Sequence, residues 1–179
     1  MNNNHLSYVR YSLVLCLLTV LSTGFAGCTR LGYNLGSMLP LEIKTVFVPL
    51  LINQTNEPNI ESETTRAVID FIQRDGSLKI ANRDTADARL QIILTRFQIV
   101  PIAFEQDRRT AAEEYRMYLT ASVRLIRQSN GKILAENSSV RGESTFPLQG
   151  DLTKSKLVGL PEAAKDLAHD IVEKIVEYW

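Results

Sequence analysis

Nucleophilic, acid–base and metal chemistry in a short chain falls mostly to cysteine and histidine, and this sequence has two of each. They are Cys16, Cys28, His5 and His169. Two of each do not readily make a His/Cys metal site, a disulfide framework or a Ser–His triad. Cys16 lies inside an apolar run. Cys28 follows the small residues Ala26-Gly27. His169 precedes Asp170 on a helical pattern, so a general base is conceivable. Its place on the polar face reads instead as a solvated helix histidine. Asp84/Asp87 and Glu113-Glu114 are paired only in sequence, at turns and strand ends, and nothing marks them as an acid–base pair. No Gly-x-Gly segment is available to cradle phosphate. The residues leave no catalytic centre, metal or cofactor to propose. The remaining chemistry-bearing set is the alternating Arg116, Tyr118 and Arg124, whose guanidinium groups suit carboxylates or phosphates.

The setting of Cys28 is the most informative local feature. Arg10 is the only charged side chain before Arg30. An apolar run over residues 11–21 follows it, well short of the about 20 apolar residues a membrane-spanning helix needs. A lone positive charge, a short apolar core and small residues describe an export signal. Phe25-Ala26-Gly27-Cys28 resembles the bacterial lipobox, in which the cysteine is acylated and becomes the first residue; Phe25 stands where Leu is usual. The alternative is an ordinary secretory signal that leaves a free thiol. The lipobox reading makes residues 1–27 a lipoprotein signal peptide and residues 28–41 a lipidated tether. A single domain then occupies residues 42–179. Stable anchoring takes at least two acyl chains, each buried methylene contributing about 0.8 kcal/mol. The lipoprotein class implies three chains, palmitate among them. By the same resemblance, Thr29 rather than Asp after the cysteine implies sorting to the outer membrane.

The full chain has 179 residues, 20 Lys+Arg against 20 Asp+Glu, 45% hydrophobic and 22% charged residues. The length is that of one domain, and the composition is globular rather than disordered. A balanced charge argues against nucleic acid as a partner, because such binders need a basic excess.

The elements follow from periodicity. Ile43–Pro49 is β-branched and aromatic, hence a strand, and Leu50–Pro58 is a loop rich in turn formers. Asn59 can cap a helix that carries Glu61 and Glu63 in its first turn and stops at Gly76. Ser77–Ala81 is a short strand. Ala88–Phe104 is a long strand whose alternation changes phase near Thr95-Arg96, the mark of a bulge or of burial on both faces. In Glu114–Gln128, Tyr115, Met117, Leu119, Ala121, Val123 and Leu125 point one way. Arg116, Tyr118, Thr120, Ser122, Arg124 and Ile126 point the other. Asn130-Gly131 is a hairpin turn, with a return strand over about 132–143. Residues 145–159 read as a loop, and Pro161 as the first turn of a terminal amphipathic helix. The order β-α-β-β-β-β-α predicts an α+β fold. It is a two-layer α/β sandwich, with a mostly antiparallel four- to five-stranded sheet and two helices on one face.

Cys28 followed by Leu31-Gly32-Tyr33-Asn34-Leu35 resembles the start of the LPS-assembly lipoprotein family, LptE. The strand Ile43–Pro49 followed by Asn53-Gln54-Thr55, the helix from Glu61 and a terminal helix ending in Trp179 are similar to that family too. The resemblance implies a non-enzymatic outer-membrane lipoprotein, anchored by lipid on the periplasmic face. It docks inside a β-barrel partner of the LptD type and assists insertion of lipopolysaccharide into the outer leaflet. A polar sheet face suits a polar barrel lumen. On that implication Arg116, Tyr118 and Arg124 contact the barrel or lipopolysaccharide; read without it, they form a solvated strand face. The competing function is a periplasm-facing lipoprotein that regulates a cell-wall synthase or secretion pore. A long tether would favour it, whereas residues 29–41 extend over only about 45 Å. Asn53-Gln54-Thr55 and Asn137-Ser138-Ser139 match a glycosylation sequon, which in an exported bacterial chain is a chance match. Cys28→Ala is expected to abolish acylation and release the protein from membranes. Palmitate labelling and membrane fractionation check this, and a variant that still carries lipid contradicts it.

Overall fold

The computed structural model describes residues 42–104 and 112–177. The leader, Cys28 and the tether fall outside those residues. Strands β1 (Thr45–Phe47) and β2 (Ile52–Asn53) precede helix α1 (Ile60–Asp75). Strands β3 (Lys79–Ile80), β4 (Ala88–Phe104), β5 (Ala112–Arg127) and β6 (Ile133–Pro147) follow, and helix α2 (Leu152–Glu177) is last. The strand order is β3-β1-β4-β5-β6, with β2 also on β4. The predicted class, an α+β sandwich with two helices, is the one observed. The sheet differs in having six strands and mixed direction. β1 runs parallel to β3 and β4, and β2 parallel to β4, while β4–β5 and β5–β6 are antiparallel. The parallel pairs arise because α1 is a crossover between β1 and β3, a connection that returns the chain in the same direction.

The alternation in β5 holds along its length: Met117, Leu119, Ala121, Val123 and Leu125 are all buried. The phase change in β4 is a bulge. Leu94 pairs with Ala121 and Arg96 with Thr120, so Thr95 is the extra residue. Leu90, Ile92 and Leu94 point inward before it, and Phe97 and Ile99 pack on the same core after it. One inserted residue thus flips the strand's parity so that both halves feed one core. A second register shift lies in β6 near Ser138-Ser139, where Val140 pairs with Ala121 and Asn137 with Val123.

Both helices cover that inner face. α1 begins at Asn59, which adopts φ 65° and makes no side-chain cap bond; Glu61 and Glu63 supply the negative charge that a helix start favours. It stops at Gly76, φ 75°, whose N–H donates to the Ile72 carbonyl. α2 presses Ala163, Ala164, Leu167, Ala168, Ile171, Val172 and Ile175 into the core. Its approach to β6 is close: a Cβ on Gly142 would lie 2.3 Å from the Leu167 backbone nitrogen. α2 also starts earlier than Pro161 indicates. Asp151 accepts the Lys154 N–H at 2.8 Å, an N-cap, and Pro161 lies inside the helix. The region read as a loop over 145–159 is therefore the end of β6, a short turn and the first two turns of α2.

Polar side chains fasten the short strands. Asp87 Oδ2 accepts the Lys44 N–H at 3.0 Å, the Thr45 N–H at 2.9 Å and the Thr45 hydroxyl at 2.7 Å. The Asp87 N–H donates back to Thr45 Oγ1 at 2.9 Å. These bonds, the Thr45 hydroxyl first and then the Lys44 N–H, hold the carboxyl below its usual range. In the loop after β2, the Asn53 amide donates to the Glu57 carbonyl and to Glu61 Oε2. Asn53 Oδ1 accepts from the Thr55 N–H and hydroxyl. Asn-x-Thr is here an Asx turn that joins β2 to the start of α1.

Two outcomes follow from this arrangement. Val123→Asp places an unpaired charge in the core and should cost several kcal/mol. Thr120→Asp, beside Arg96 and Arg141 on the open face, should stay within about 0.5 kcal/mol of wild type. Urea unfolding compares them, and equal losses would mean that the sheet is covered on both sides. Asp87→Asn should cost about 1 kcal/mol at neutral pH, less than the about 1.5–3 kcal/mol of a buried bond to a charged group because solvent reaches this half-open carboxylate. Because folding lowers the Asp87 pKa, its contribution is present above the unfolded carboxylate value of about 3.9. It fades as pH falls through the folded value. The stability gap between wild type and variant should close in acid, and a gap that stays constant with pH contradicts the clasp.

Candidate partner-binding face

The face of the sheet opposite the helices is built by three antiparallel strands. Register places Arg89, Gln91, Ile93, Arg96, Gln98 and Val100 of β4 beside Ile126, Arg124, Ser122, Thr120, Tyr118 and Arg116 of β5. β6 adds Glu136 beside Arg124, Arg141 beside Thr120, Glu143 beside Tyr118 and Thr145 beside Arg116. Opposed residues in an antiparallel pair share a face, so these side chains form one surface. Both helices pack on the other side of the sheet.

The sequence-derived residues Arg116, Tyr118 and Arg124 all lie on this surface, at alternate positions of β5. Each has a partner on β6. Arg124 Nε donates to Glu136 Oε1 at 2.6 Å. Arg116 Nη1 lies 3.8 Å from Glu143 Oε1, and its Nε is shielded from solvent without a hydrogen-bond acceptor. The Arg141 guanidinium stacks on the Tyr118 ring, 3.7 Å from its centroid. Glu136, Arg141 and Glu143 were not singled out from sequence. Their β6 positions are read only once the turn and the shift at Ser138-Ser139 have set the register. Arginines outnumber carboxylates here: Arg89, Arg96, Arg116, Arg124 and Arg141 against Glu114, Glu136 and Glu143. The protein as a whole is neutral, so this is a local excess of positive charge.

Other candidates from the sequence have local roles. Asp87 is the clasp between β1 and β4. His169 is exposed on α2, with Nδ1 3.3 Å from Asp170 Oδ1 and its ring edge-on to Phe71 at 5.3 Å. Glu113 contributes its backbone carbonyl to the Leu148 N–H. Among the described residues, His169, Asp170 and Glu173 are the set that gathers potential metal ligands, all near the surface. Among the described residues no helix is long and apolar enough to cross a membrane.

Comparison with known proteins places this fold. It is similar to a lipoprotein from Caulobacter crescentus CB15, with 14% identity, a TM-score of 0.50, and coverage of 69% of this chain and 87% of that one. It is similar to a PelC dodecamer from Paraburkholderia phytofirmans, also 14% identical with a TM-score of 0.50, covering 79% and 95% of the two chains. At that identity these likenesses show the fold alone. No curated protein matches the chain. The family model for lipopolysaccharide assembly matches residues 43–178, from the first strand to the end of the terminal helix. With every strand and helix from β1 to α2 inside that match, the chain belongs to the lipopolysaccharide-assembly family LptE.

Proposed function

We propose that this protein is a lipid-anchored, non-enzymatic subunit that docks with an outer-membrane β-barrel of the LptD type. In that complex it assists the barrel's assembly and the insertion of lipopolysaccharide into the outer leaflet. Cys28 carries the acyl chains and holds the domain on the periplasmic side of the outer membrane. Family membership supports the process, and the open arginine-rich sheet face carries the assignment of the contact surface. A wet face three strands wide suits the polar lumen of a large barrel. Arg116 and Arg124 present forked donors for carboxylates of the barrel wall or phosphates of lipopolysaccharide. Tyr118, backed by Arg141, offers a rigid amphipathic contact between them.

The intramolecular partners suit an exchange of this kind. The Arg124 and Glu136 side chains are 51% and 45% exposed, and those of Arg116 and Glu143 are 39% and 49% exposed. Pairs this accessible contribute about 0–1 kcal/mol, so a partner can recruit the arginines at small cost.

Replacing Arg116 and Arg124 with Glu reverses the charge at both positions, and like-charge contacts across an interface cost several kcal/mol. The double variant should fold, by circular dichroism, and should fail to co-purify the barrel or bind lipopolysaccharide. Adding Glu136→Arg and Glu143→Arg restores the internal pairs and controls for damage within the domain. Undiminished co-purification by the double variant would move the interface to the helices or loops. Recovery of a cell-wall synthase in place of any barrel would support the periplasmic regulator instead.

A further inference from the structure

A second site lies on the opposite side of the sheet, beneath the loop that joins β2 to α1. There a cavity of about 270 Å³ opens between this loop, the first turns of α2 and the second half of β4. Ile60 and Met117, both buried, form its floor, Phe97 and Leu160 its walls, and the exposed Leu157 lies at its edge. Phe97 is on this wall only because the Thr95 bulge turned the second half of β4 inward. The space exceeds the about 150 Å³ of an apolar cavity that takes up benzene, and hydrocarbon walls give water few partners.

The rim is polar and one-sided. Lys156 and Glu57 form an ion pair there, with side chains only 25% and 21% exposed. An ammonium group has three donors, and among the described residues Lys156 gives one of them to Glu57 Oε1. An ammonium group that makes one such bond can still donate to an anionic group beside it. Asn59, also on the rim, is held in the left-handed region without a capping bond. It is the one non-glycine residue with positive φ among the described residues.

We propose that this cavity binds a single unbranched hydrocarbon chain whose anionic head pairs with Lys156. Apolar walls and a few convergent polar groups are the usual make-up of a small-ligand site. The chain lies against Met117 and Phe97, the Leu157 side chain forms the lip, and the head lies between Lys156 and the Asn59 backbone. The same chemistry is found in a free fatty acid and in a monoacyl phospholipid. This site is separate from the open sheet face and does not rest on the barrel reading.

Met117 is one of three methionines in the chain, the others being Met1 and Met38. Protein spanning residues 29–179 contains every described element and the whole described core. Labelled with ¹³C-methyl methionine, it reports the cavity through Met117, assigned with Met117→Leu, with Met38 as internal control. Sodium decanoate below its micelle concentration, and a decanoyl lysophosphatidic acid, are titrated separately. The proposal expects a saturable shift of the Met117 methyl with at least one of them, and the responding probe identifies the source. Lys156→Ala should weaken binding about tenfold, the loss of one charge-assisted hydrogen bond. Leu157→Trp fills the lip at a position that is 64% exposed, so it should fold normally and abolish the shift. No shift with either probe overturns the proposal. So does an undiminished shift in Leu157→Trp, or decanol binding as tightly as decanoate.

Discussion

Burial of a single face of the three long strands β4, β5 and β6 is the constraint on which the other features rest. Each strand exposes alternate side chains to opposite sides, so one apolar set fills the core and the other set stays wet. Two local devices keep that rule intact over strands of this length. The Thr95 bulge resets the parity of β4 so that Phe97 joins Leu94 on the inner side. Gly142 lets α2 approach β6 so closely that a methyl group there would strike the Leu167 backbone. With both helices committed to the inner face, the outer face remains available, and its residue types need only suit water or a polar partner.

That freedom has been used in a specific way. Arg124 lies between Gln91 and Glu136, Thr120 between Arg96 and Arg141, and Arg116 between Val100 and Thr145, so the arginines are spread over cross-strand rows rather than gathered in one cluster. The pairs are half-exposed and individually weak, so a polar partner could replace either member at small cost. A surface of buried, strongly bonded ion pairs would resist such exchange, because breaking one strands a charge. The apolar cavity beneath the Asn53–Pro58 loop belongs to the other side of the same sheet. The Thr95 bulge contributes to both, by ending the inward run at Leu94 and by supplying Phe97 to the cavity wall.

Much of this was legible in the residues because period-two alternation survives wherever one face is buried. β5 carried both the core list and the wet face, and the phase slip at Thr95-Arg96 pointed to a bulge or to burial on both faces, between which the register with β5 decides for the bulge. Gly76 marked the end of α1 for the same local reason, a left-handed conformation. What escaped depends on long-range partners. β2 is two residues long and is a strand only because it pairs with β4. Strand direction follows from the crossover through α1, and periodicity is blind to it. Pro161 drew the start of α2 too late, since a proline suits a first turn better than an interior; the Asp151 cap upstream was the competing signal. Of the site, Arg116, Tyr118 and Arg124 could be placed on one face from β5 alone. Their partners Glu136, Arg141 and Glu143 needed the β6 register, which the shift at Ser138-Ser139 obscures. The Lys156–Glu57 contact joins residues 99 apart in sequence and leaves no local trace.

The central claim is that the open sheet face, not the helical layer, meets the barrel. Site-specific photocrosslinking in intact cells tests it most directly. A benzophenone amino acid is placed at Thr120 on the open face, and in a second protein at Glu162 on the exposed side of α2. The account predicts a crosslink from position 120 to a large outer-membrane β-barrel and none from position 162. A barrel crosslink from position 162 with none from 120 would contradict it.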